Sequence, residues 1–246
     1  MTFYNRLKED TKELRNTTNV RHLYRPKNFS GSVVSYDIII KCFDFAYTMA
    51  KDSFHRSKRS GGTHQRSPLE LFWDTFRGKI AECIAYDYFA SKNYEVSDLD
   101  FSIYPRGVWD SFDMRINREF ISIKSTKHFG QLLLLETADW DEQGRYLPDA
   151  DKNIPYSYFL LVRTKIENEN HFTKRNLPEY DLLKDFCLSM NIEGELTGVL
   201  SHQDFVNQII KYRFIIKKGQ LLQGRVRMDA DNYYTHAIDL ESPDII

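Results

Sequence analysis

The sequence predicts a single α/β domain of 246 residues, in which helices flank a mixed central β-sheet. A capped helical pattern begins at Ser67, an alternating strand pattern runs from Phe112 to Lys124, and two apolar runs typical of strands lie at 131–136 and 156–166. We divide the domain into a helical N-terminal part with a basic loop (1–66), a core (67–166) and a C-terminal extension (167–246).

The composition favours a packed core, because 41% of the residues are hydrophobic and 17 Phe and 15 Tyr are present. The cysteines Cys42, Cys83 and Cys187 are odd in number and lie among apolar residues, which predicts reduced core thiols. They have no Cys-x-x-Cys spacing, so a structural zinc is not expected. The charged N-terminus and the lack of an 18-residue apolar run predict no signal peptide or membrane span, hence a cytoplasmic protein.

Two helices are expected before the core. Residues 3–15 combine a few apolar positions with many charges, as in a surface helix. Residues 33–54 have apolar side chains at close to helical periodicity, although Val33 to Ile40 alone could form a strand.

The strongest helix signal is Ser67-Pro68-Leu69-Glu70, with an N-cap serine, proline in the first turn and a capping-box glutamate. This helix should run to about Ala90. Its predicted core stripe is Leu69, Phe72, Phe76, Ile80, Cys83 and Ile84. Glu82 falls on a different side, near Gly78 and Lys79. A glycine inside a helix lowers the stability of the helix by about 1 kcal/mol relative to alanine, so we expect another group to approach the backbone closely at Gly78. Glu82, taken by itself, could simply pair with Lys79.

A short strand at 101–104 is expected to lead into a β-hairpin. Apolar and polar residues alternate from Phe112 to Ile116, Asn117-Arg118 makes a tight turn, and a second strand reaches Lys124. Since strand side chains alternate between faces, Asp113 and Lys124 can project toward the same edge. A carboxylate that holds a divalent cation beside a lysine is suited to phosphodiester hydrolysis. A cross-strand ion pair would use the same two residues.

This hairpin resembles the PD-(D/E)XK nuclease superfamily, which includes many type II restriction endonucleases. The similarity lies in the order of an acid, a hairpin and x-x-Lys, here Asp113 followed by Ser122-Ile123-Lys124. The helix that carries Arg77 to Glu82 is similar to the helix that supplies an additional acid in that family. The resemblance covers about residues 67 to 126 and implies a restriction-endonuclease-like α/β fold.

The resemblance implies that Asp113 and Glu82, with the backbone carbonyl of Ile123, hold Mg²⁺, which prefers oxygen ligands. Lys124 would orient or help deprotonate the attacking water. The family pattern has Asp or Glu where this chain has Ser122, so Ser122 would at most hold a metal-bound water.

Asp110 is a rival for the position of Asp113. We prefer Asp113 because it lies within the alternating run, whereas Asp110 precedes it in the approach to the strand.

The expected substrate is double-stranded DNA, cleaved by a type II restriction enzyme or a related defence nuclease. A homodimer would match a two-fold DNA site. Two alternatives remain: a DNA repair or recombination nuclease, and a non-catalytic nucleic-acid-binding module with a degenerate nuclease site.

The net charge of −1 does not indicate nucleic-acid binding, but the segment from Lys51 to Arg66 has five basic residues and one acid. Beside a nuclease site these cations would contact phosphates, although a solvated loop has the same composition. The predicted nucleic-acid contacts are Arg56, Lys58, Arg59, Arg66, Lys79 and Lys127.

The runs at 131–136 and 156–166 should extend the sheet that contains the hairpin. Residues 137–154 between them are acidic and too polar for the core, and Glu136 is a weaker candidate ligand. A helix at 180–188, a strand at 196–200 and a helix from Ser201 should follow. The last part of the chain contains residues that could contact bases or simply form a final strand and tail. These residues are Arg225, Arg227, Asn232, Tyr233 and Tyr234.

Overall fold

The computed structural model describes residues 4–10, 18–22, 25–51, 66–103, 112–148, 155–173 and 175–246. The strands are β1 (Lys8–Asp10), β2 (Asn19–Arg21), β3 (Ser32–Val33), β4 (Met114–Ile116), β5 (Glu119–Lys127), β6 (Leu132–Glu136), β7 (Tyr156–Ile166), β8 (Ile192–Ser201), β9 (Ile215–Ile216), β10 (Leu221–Leu222), β11 (Val226–Arg227) and β12 (Asn232–His236). The helices are α1 (Tyr36–Lys51), α2 (Pro68–Ser91), α3 (Tyr180–Ser189) and the short α4 (His202–Asp204), which continues as a π-helix over Phe205–Ile210.

A five-stranded mixed sheet in the order β3-β8-β7-β5-β4 lies at the centre of the fold. Strands β5 and β7 are parallel, and the other neighbours are antiparallel. The side chains of β7 are buried on both faces, which explains its continuous apolar sequence. This architecture confirms the predicted mixed α/β class.

Different layers cover the two faces of the central sheet. Leu160 and Val162 of β7 pack with residues of α2, whose own outer side packs against α1 and α3. Phe159 and Leu161 point to the other face, where they pack against β6, β12 and the π-helix. There β6, β12 and β9 form a separate three-stranded sheet.

Helix α2 confirms the predicted start and the predicted capping box. The Ser67 hydroxyl accepts from the Glu70 N–H, and the Glu70 carboxylate accepts from the Ser67 N–H. The predicted stripe packs toward α1 and α3, while Ala81, Ala85 and Phe89 pack toward the central sheet. The helix is therefore buried between two layers.

The expected N-terminal helix is wrong where the structure describes it. Lys8–Asp10 is a strand that pairs antiparallel with β2, in a small sheet that also contains β10 and β11. Pairing with β2, which is itself held by β10, overrides the local helical pattern, and charged residues suit the edge of such a sheet. The second helix is confirmed from Tyr36, and Val33 belongs to the short strand β3.

Three expectations for the core require correction. Residues 101–103 form no strand, and β6 pairs with β12 in the second sheet instead of extending the central one. The segment after β6 is not wholly outside the core, because Trp140 is buried among residues of β7 and the π-helix. The predicted strand at 156–166 and helix at 180–188 are confirmed.

Among the described residues, the helices are all too short or too polar to cross a membrane.

Candidate active site

The predicted hairpin is present, with Met114 opposite Ile121 and Ile116 opposite Glu119. Asn117 in the turn has φ +54°, a left-handed conformation that asparagine tolerates better than most residues. The tight turn therefore fixes the register of β4 against β5.

This register places Asp113 opposite Ser122. One Asp113 carboxylate oxygen, Oδ2, accepts a hydrogen bond from the Ile123 N–H at 2.6 Å and one from the Ser122 hydroxyl at 3.1 Å. Charge-assisted hydrogen bonds of this kind are stronger than neutral ones. The carboxylate is thus fixed against the strand that also carries Lys124.

Lys124 lies on the same face of β5 as Ser122, because strand side chains alternate. Ile121 and Ile123 occupy the other face and pack toward α2. Lys124 is therefore the diagonal neighbour of Asp113 across the strand pair, a separation that a long side chain can span. The backbone N–H and carbonyl of one strand residue project to the same side, so the Ile123 carbonyl is directed to the edge where Asp113 lies.

A cleft of about 780 Å³ opens beside this end of β5. Its charged and amide lining residues are Lys124, Glu136, Asp139, Arg227, Asp229 and Asn232. Burial raises the pKa of Asp139, and the positive charge of Lys124 partly opposes that rise. Asp139 thus lies within electrostatic reach of Lys124.

Asp139 lines the cleft with Lys124, and the sequence pattern did not predict it as a candidate. It belongs to the acidic segment after β6, which the sequence predicts to be solvated. The neighbouring Trp140 is buried, and its ring packs against Phe159 and Phe205. A single tryptophan in a polar segment was the available signal that this segment is anchored to the core.

Glu82 is engaged by Lys79. The Lys79 ammonium lies 2.6 Å from Glu82 Oε2 and 2.6 Å from the Asp100 carbonyl oxygen, near the rings of Phe45 and Phe101. Lys79 is 6% exposed, so its placement does not favour the predicted contact with phosphates. The role of Glu82 as a metal ligand stays a prediction.

Gly78 lies next to open space in the described part of the chain, where an added Cβ would meet nothing within 4 Å. The close approach expected at this glycine is therefore not seen among those residues.

The predicted nucleic-acid contacts differ in their surroundings. Arg56, Lys58 and Arg59 lie outside the described residues, as does Asp110. Arg66 pairs with Asp74 at 3.2 Å. The ammonium of Lys127, whose side chain is 42% exposed, pairs with Glu169, which also binds Arg77.

The C-terminal candidates are divided between the cleft and the core. Arg227 and Asn232 line the cleft. Tyr234 is 4% exposed, and its hydroxyl accepts from the Leu7 N–H, so it is a core residue. Tyr233 is partly buried against Phe205.

The donor chemistry at the hairpin fits Mg²⁺ with few protein ligands. Across the described ranges, no three His, Cys, Asp or Glu side chains form a metal-binding group. Mg²⁺ commonly retains several waters and uses only one or two carboxylates. Asp113 and the Ile123 carbonyl are hard oxygen donors of this type, whereas the Ser122 hydroxyl is a weaker one.

No protein-family model, curated protein or solved structure matches this chain.

Proposed function

We propose that the protein is a Mg²⁺-dependent endonuclease that hydrolyses DNA phosphodiester bonds. The observation that carries this proposal is the fixed position of Asp113. Its carboxylate is hydrogen-bonded to Ser122 and Ile123 on the strand whose Lys124 lines an open cleft. An acid, a backbone carbonyl and an amine at one edge of a sheet are the groups that metal-assisted hydrolysis requires.

In this mechanism Asp113 and the Ile123 carbonyl would hold the cation. When bound, Mg²⁺ acts as a Lewis acid and stabilises charge on the phosphate and the leaving oxygen. Lys124, as a compact point charge, orients the attacking water and stabilises the negative charge that develops on the phosphate. The Ser122 hydroxyl keeps Asp113 oriented, because it donates to the same oxygen as the Ile123 N–H.

The finer assignment is a type II restriction enzyme or a related defence nuclease acting on double-stranded DNA. It is supported by the resemblance of Asp113 and Ser122-Ile123-Lys124 to the PD-(D/E)XK pattern. Arg227 lines the same cleft as Lys124 and supplies a second cation for the phosphate backbone. Cleavage of both strands at a two-fold sequence would call for a homodimer.

The test is cleavage of plasmid and phage DNA with Mg²⁺, with and without EDTA. The variants are Asp113→Asn and Lys124→Ala, and Lys165→Ala is the matched control. Lys165, like Lys124, is a lysine on a strand of the central sheet; it pairs with Glu193 at 2.8 Å and is not among the residues that line the cleft. Circular dichroism establishes that each variant is folded.

We expect wild type and Lys165→Ala to produce discrete fragments, and the other two variants to lose about 10²- to 10³-fold in rate, as when a charge-stabilising group is removed. If Asp113→Asn and Lys124→Ala cleave as fast as Lys165→Ala, the hairpin is not the catalytic site. If the positions of the cuts depend on the structure of the DNA and not on its sequence, the protein is a repair or recombination nuclease.

Two observations favour a second candidate, a non-catalytic nucleic-acid-binding module. Ser122 is not an acid, and the described residues include no three-ligand metal group. Such a module would bind DNA in EDTA and cleave neither DNA nor RNA with Mg²⁺ or Mn²⁺.

A further inference from the structure

Two cysteines from different helices meet in the core between α1 and α2. Cys42 Sγ and Cys83 Sγ lie 3.7 Å apart and share a hydrogen bond, although the residues are 41 positions apart in the sequence. Both are free thiols, with 0% and 2% exposure. The third cysteine, Cys187 in α3, is also buried and free.

One of these two cysteines borders a cavity. Cys83 lines a second cavity, of about 740 Å³, between α1, α2 and residues 98–103. The cavity also has Phe45, Tyr86 and Leu99 in its wall, and its lining as a whole is more apolar than polar. Cys42 is not part of this lining. Cys83 is therefore the cysteine of the pair that borders this cavity, and its sulfur lies 3.7 Å from Cys42 Sγ.

We propose that Cys42 and Cys83 form a site of reversible oxidation, at which a small hydroperoxide converts the two thiols into an intramolecular disulfide. This proposal is independent of the nuclease activity.

The chemistry proceeds in two steps. The Cys83 sulfur attacks one oxygen of hydrogen peroxide, the O–O bond breaks, and the thiol proton leaves with the released hydroxide as water, which gives a sulfenic acid. The Cys42 sulfur then attacks Cys83 Sγ, the S–O bond breaks, and a second water carries away the Cys42 proton. Two thiols have lost two electrons and two protons, and one peroxide has become two waters. A dithiol reductant reverses the change by thiol–disulfide exchange.

The geometry requires a small movement. An S–S bond is about 2.05 Å long, so the sulfurs must approach by about 1.7 Å from their present separation. Rotation of the two side chains and a small shift of α1 toward α2 would provide this approach.

The environment of Cys42 makes the reaction slow at neutral pH. The hydrogen bond with Cys83 and burial both raise the pKa of the Cys42 thiol. Because the thiolate is the nucleophile, the resolving step should accelerate as the pH rises.

The experiment uses the full chain, treated while folded with hydrogen peroxide or with oxidised dithiothreitol. The readouts are the intact mass, the number of free thiols in denaturant after quenching, and a non-reducing peptide map. Cys42→Ala and Cys83→Ala remove the proposed pair, and Cys187→Ala is the matched control for a buried cysteine.

We expect wild type and Cys187→Ala to lose two hydrogens each, about 2 Da, and to yield a peptide that joins Cys42 to Cys83. The melting temperature should rise by several degrees, because the cross-link restricts the unfolded chain. The other two variants should form no intramolecular disulfide, and dithiothreitol should restore the wild-type mass.

Three results would overturn the proposal. The first is an unchanged mass of folded wild type after prolonged oxidation at pH 8.5. The second is a disulfide that includes Cys187 or joins two molecules. The third is the Cys42–Cys83 peptide only after denaturation. The peptide map of wild type decides the question even if an alanine variant fails to fold.

Discussion

Replacing Ser122 with aspartate tests whether this position faces Asp113 as a metal site would require. The Ser122 hydroxyl oxygen lies 3.1 Å from Asp113 Oδ2, and the residue is 2% exposed. The variant would lose the hydrogen bond that the hydroxyl donates and gain a second negative charge at nearly the same place. Without a metal ion, we expect a less stable protein.

The magnitude follows from the separation of the two carboxylates. Two unit charges about 4 Å apart repel by about 4 kcal/mol at an effective dielectric constant of about 20. Small side-chain movements and shared protonation relieve part of this, so we expect the free energy of unfolding at pH 8 to fall by about 2–4 kcal/mol.

The pH dependence gives the sign of the effect. Repulsion raises the pKa of one carboxyl in the folded variant above its unfolded value of about 3.9. The folded state then binds more protons than the unfolded state between these two values. The destabilisation is therefore complete above the raised pKa and disappears below the unfolded one.

Magnesium should reverse the loss if the site holds a cation. A free concentration of about 100 times the dissociation constant stabilises the folded state by about 2.7 kcal/mol. The assay is urea denaturation at pH 8 with MgCl₂ or with EDTA. Ser122→Asn is the control, because it has the same shape as the aspartate variant without the charge.

Two outcomes would refute this reasoning. If Ser122→Asp and Ser122→Asn are equally stable in EDTA, then the new carboxylate is not close to Asp113. If the aspartate variant is destabilised but Mg²⁺ restores no more stability than it gives to Ser122→Asn, the hairpin carries an acid and a lysine without a metal site.

Three further predictions concern stability. Gly78→Ala should raise the free energy of unfolding by up to about 1 kcal/mol, because the described chain leaves the added Cβ open space; a decrease in urea denaturation would show that another group needs this space. Arg163→Met should lower the free energy of unfolding by about 3–5 kcal/mol, because the fully buried Arg163 guanidinium lies 2.7 Å from Glu195 Oε2. The double variant with Glu195→Gln should recover much of this stability. If it recovers none, the ion-pair explanation is wrong. Burial, and then the nearby His236, lower the pKa of His22 to about 4. Because histidine in the unfolded chain titrates at about 6.5, the free energy of unfolding should fall by about 1–2 kcal/mol between pH 6.5 and pH 4, after allowance for solvent screening. His22→Gln should remove this fall from the pH profile of stability. If the variant has the same profile as wild type, His22 is not its cause.

Local signals were sufficient for α2 and for the hairpin. The capping box at Ser67 and Glu70 needs only four consecutive residues, and it is formed as predicted. The hairpin register depends on a turn of two residues, Asn117 and Arg118, so the sequence places Asp113 beside Ser122 without long-range information.

Long-range pairing was not predictable in the same way. The four leucines of β6 predict a buried strand, but they do not select a sheet. Their partner is β12, which pairs Tyr234 with Leu134 about 100 positions along the chain. The strand at Lys8–Asp10 belongs to a sheet in which β2 pairs with β10, about 200 positions further along the chain, and this sheet overrides its helical pattern.

The candidate site was only partly predictable for the same reason. The pattern identified Asp113 and Lys124, which are close in sequence. Asp139 lies within electrostatic reach of Lys124 because its neighbour Trp140 is anchored in the core on the face of the central sheet opposite α2. The pairing of Glu82 with Lys79 was an open alternative, and the accompanying contact of Lys79 with the Asp100 carbonyl has no sequence signal.

The charge of the cleft distinguishes the two candidate functions. Its lining contains two cationic side chains, Lys124 and Arg227, and three acidic ones, Glu136, Asp139 and Asp229. A phosphodiester brought to Lys124 would meet this acidic excess, so we expect its binding there to require a divalent cation that offsets the repulsion. DNA binding that depends on Lys124 should therefore also depend on Mg²⁺. A non-catalytic module would instead bind through basic residues elsewhere, and its DNA affinity would be unaffected by EDTA or by Lys124→Ala.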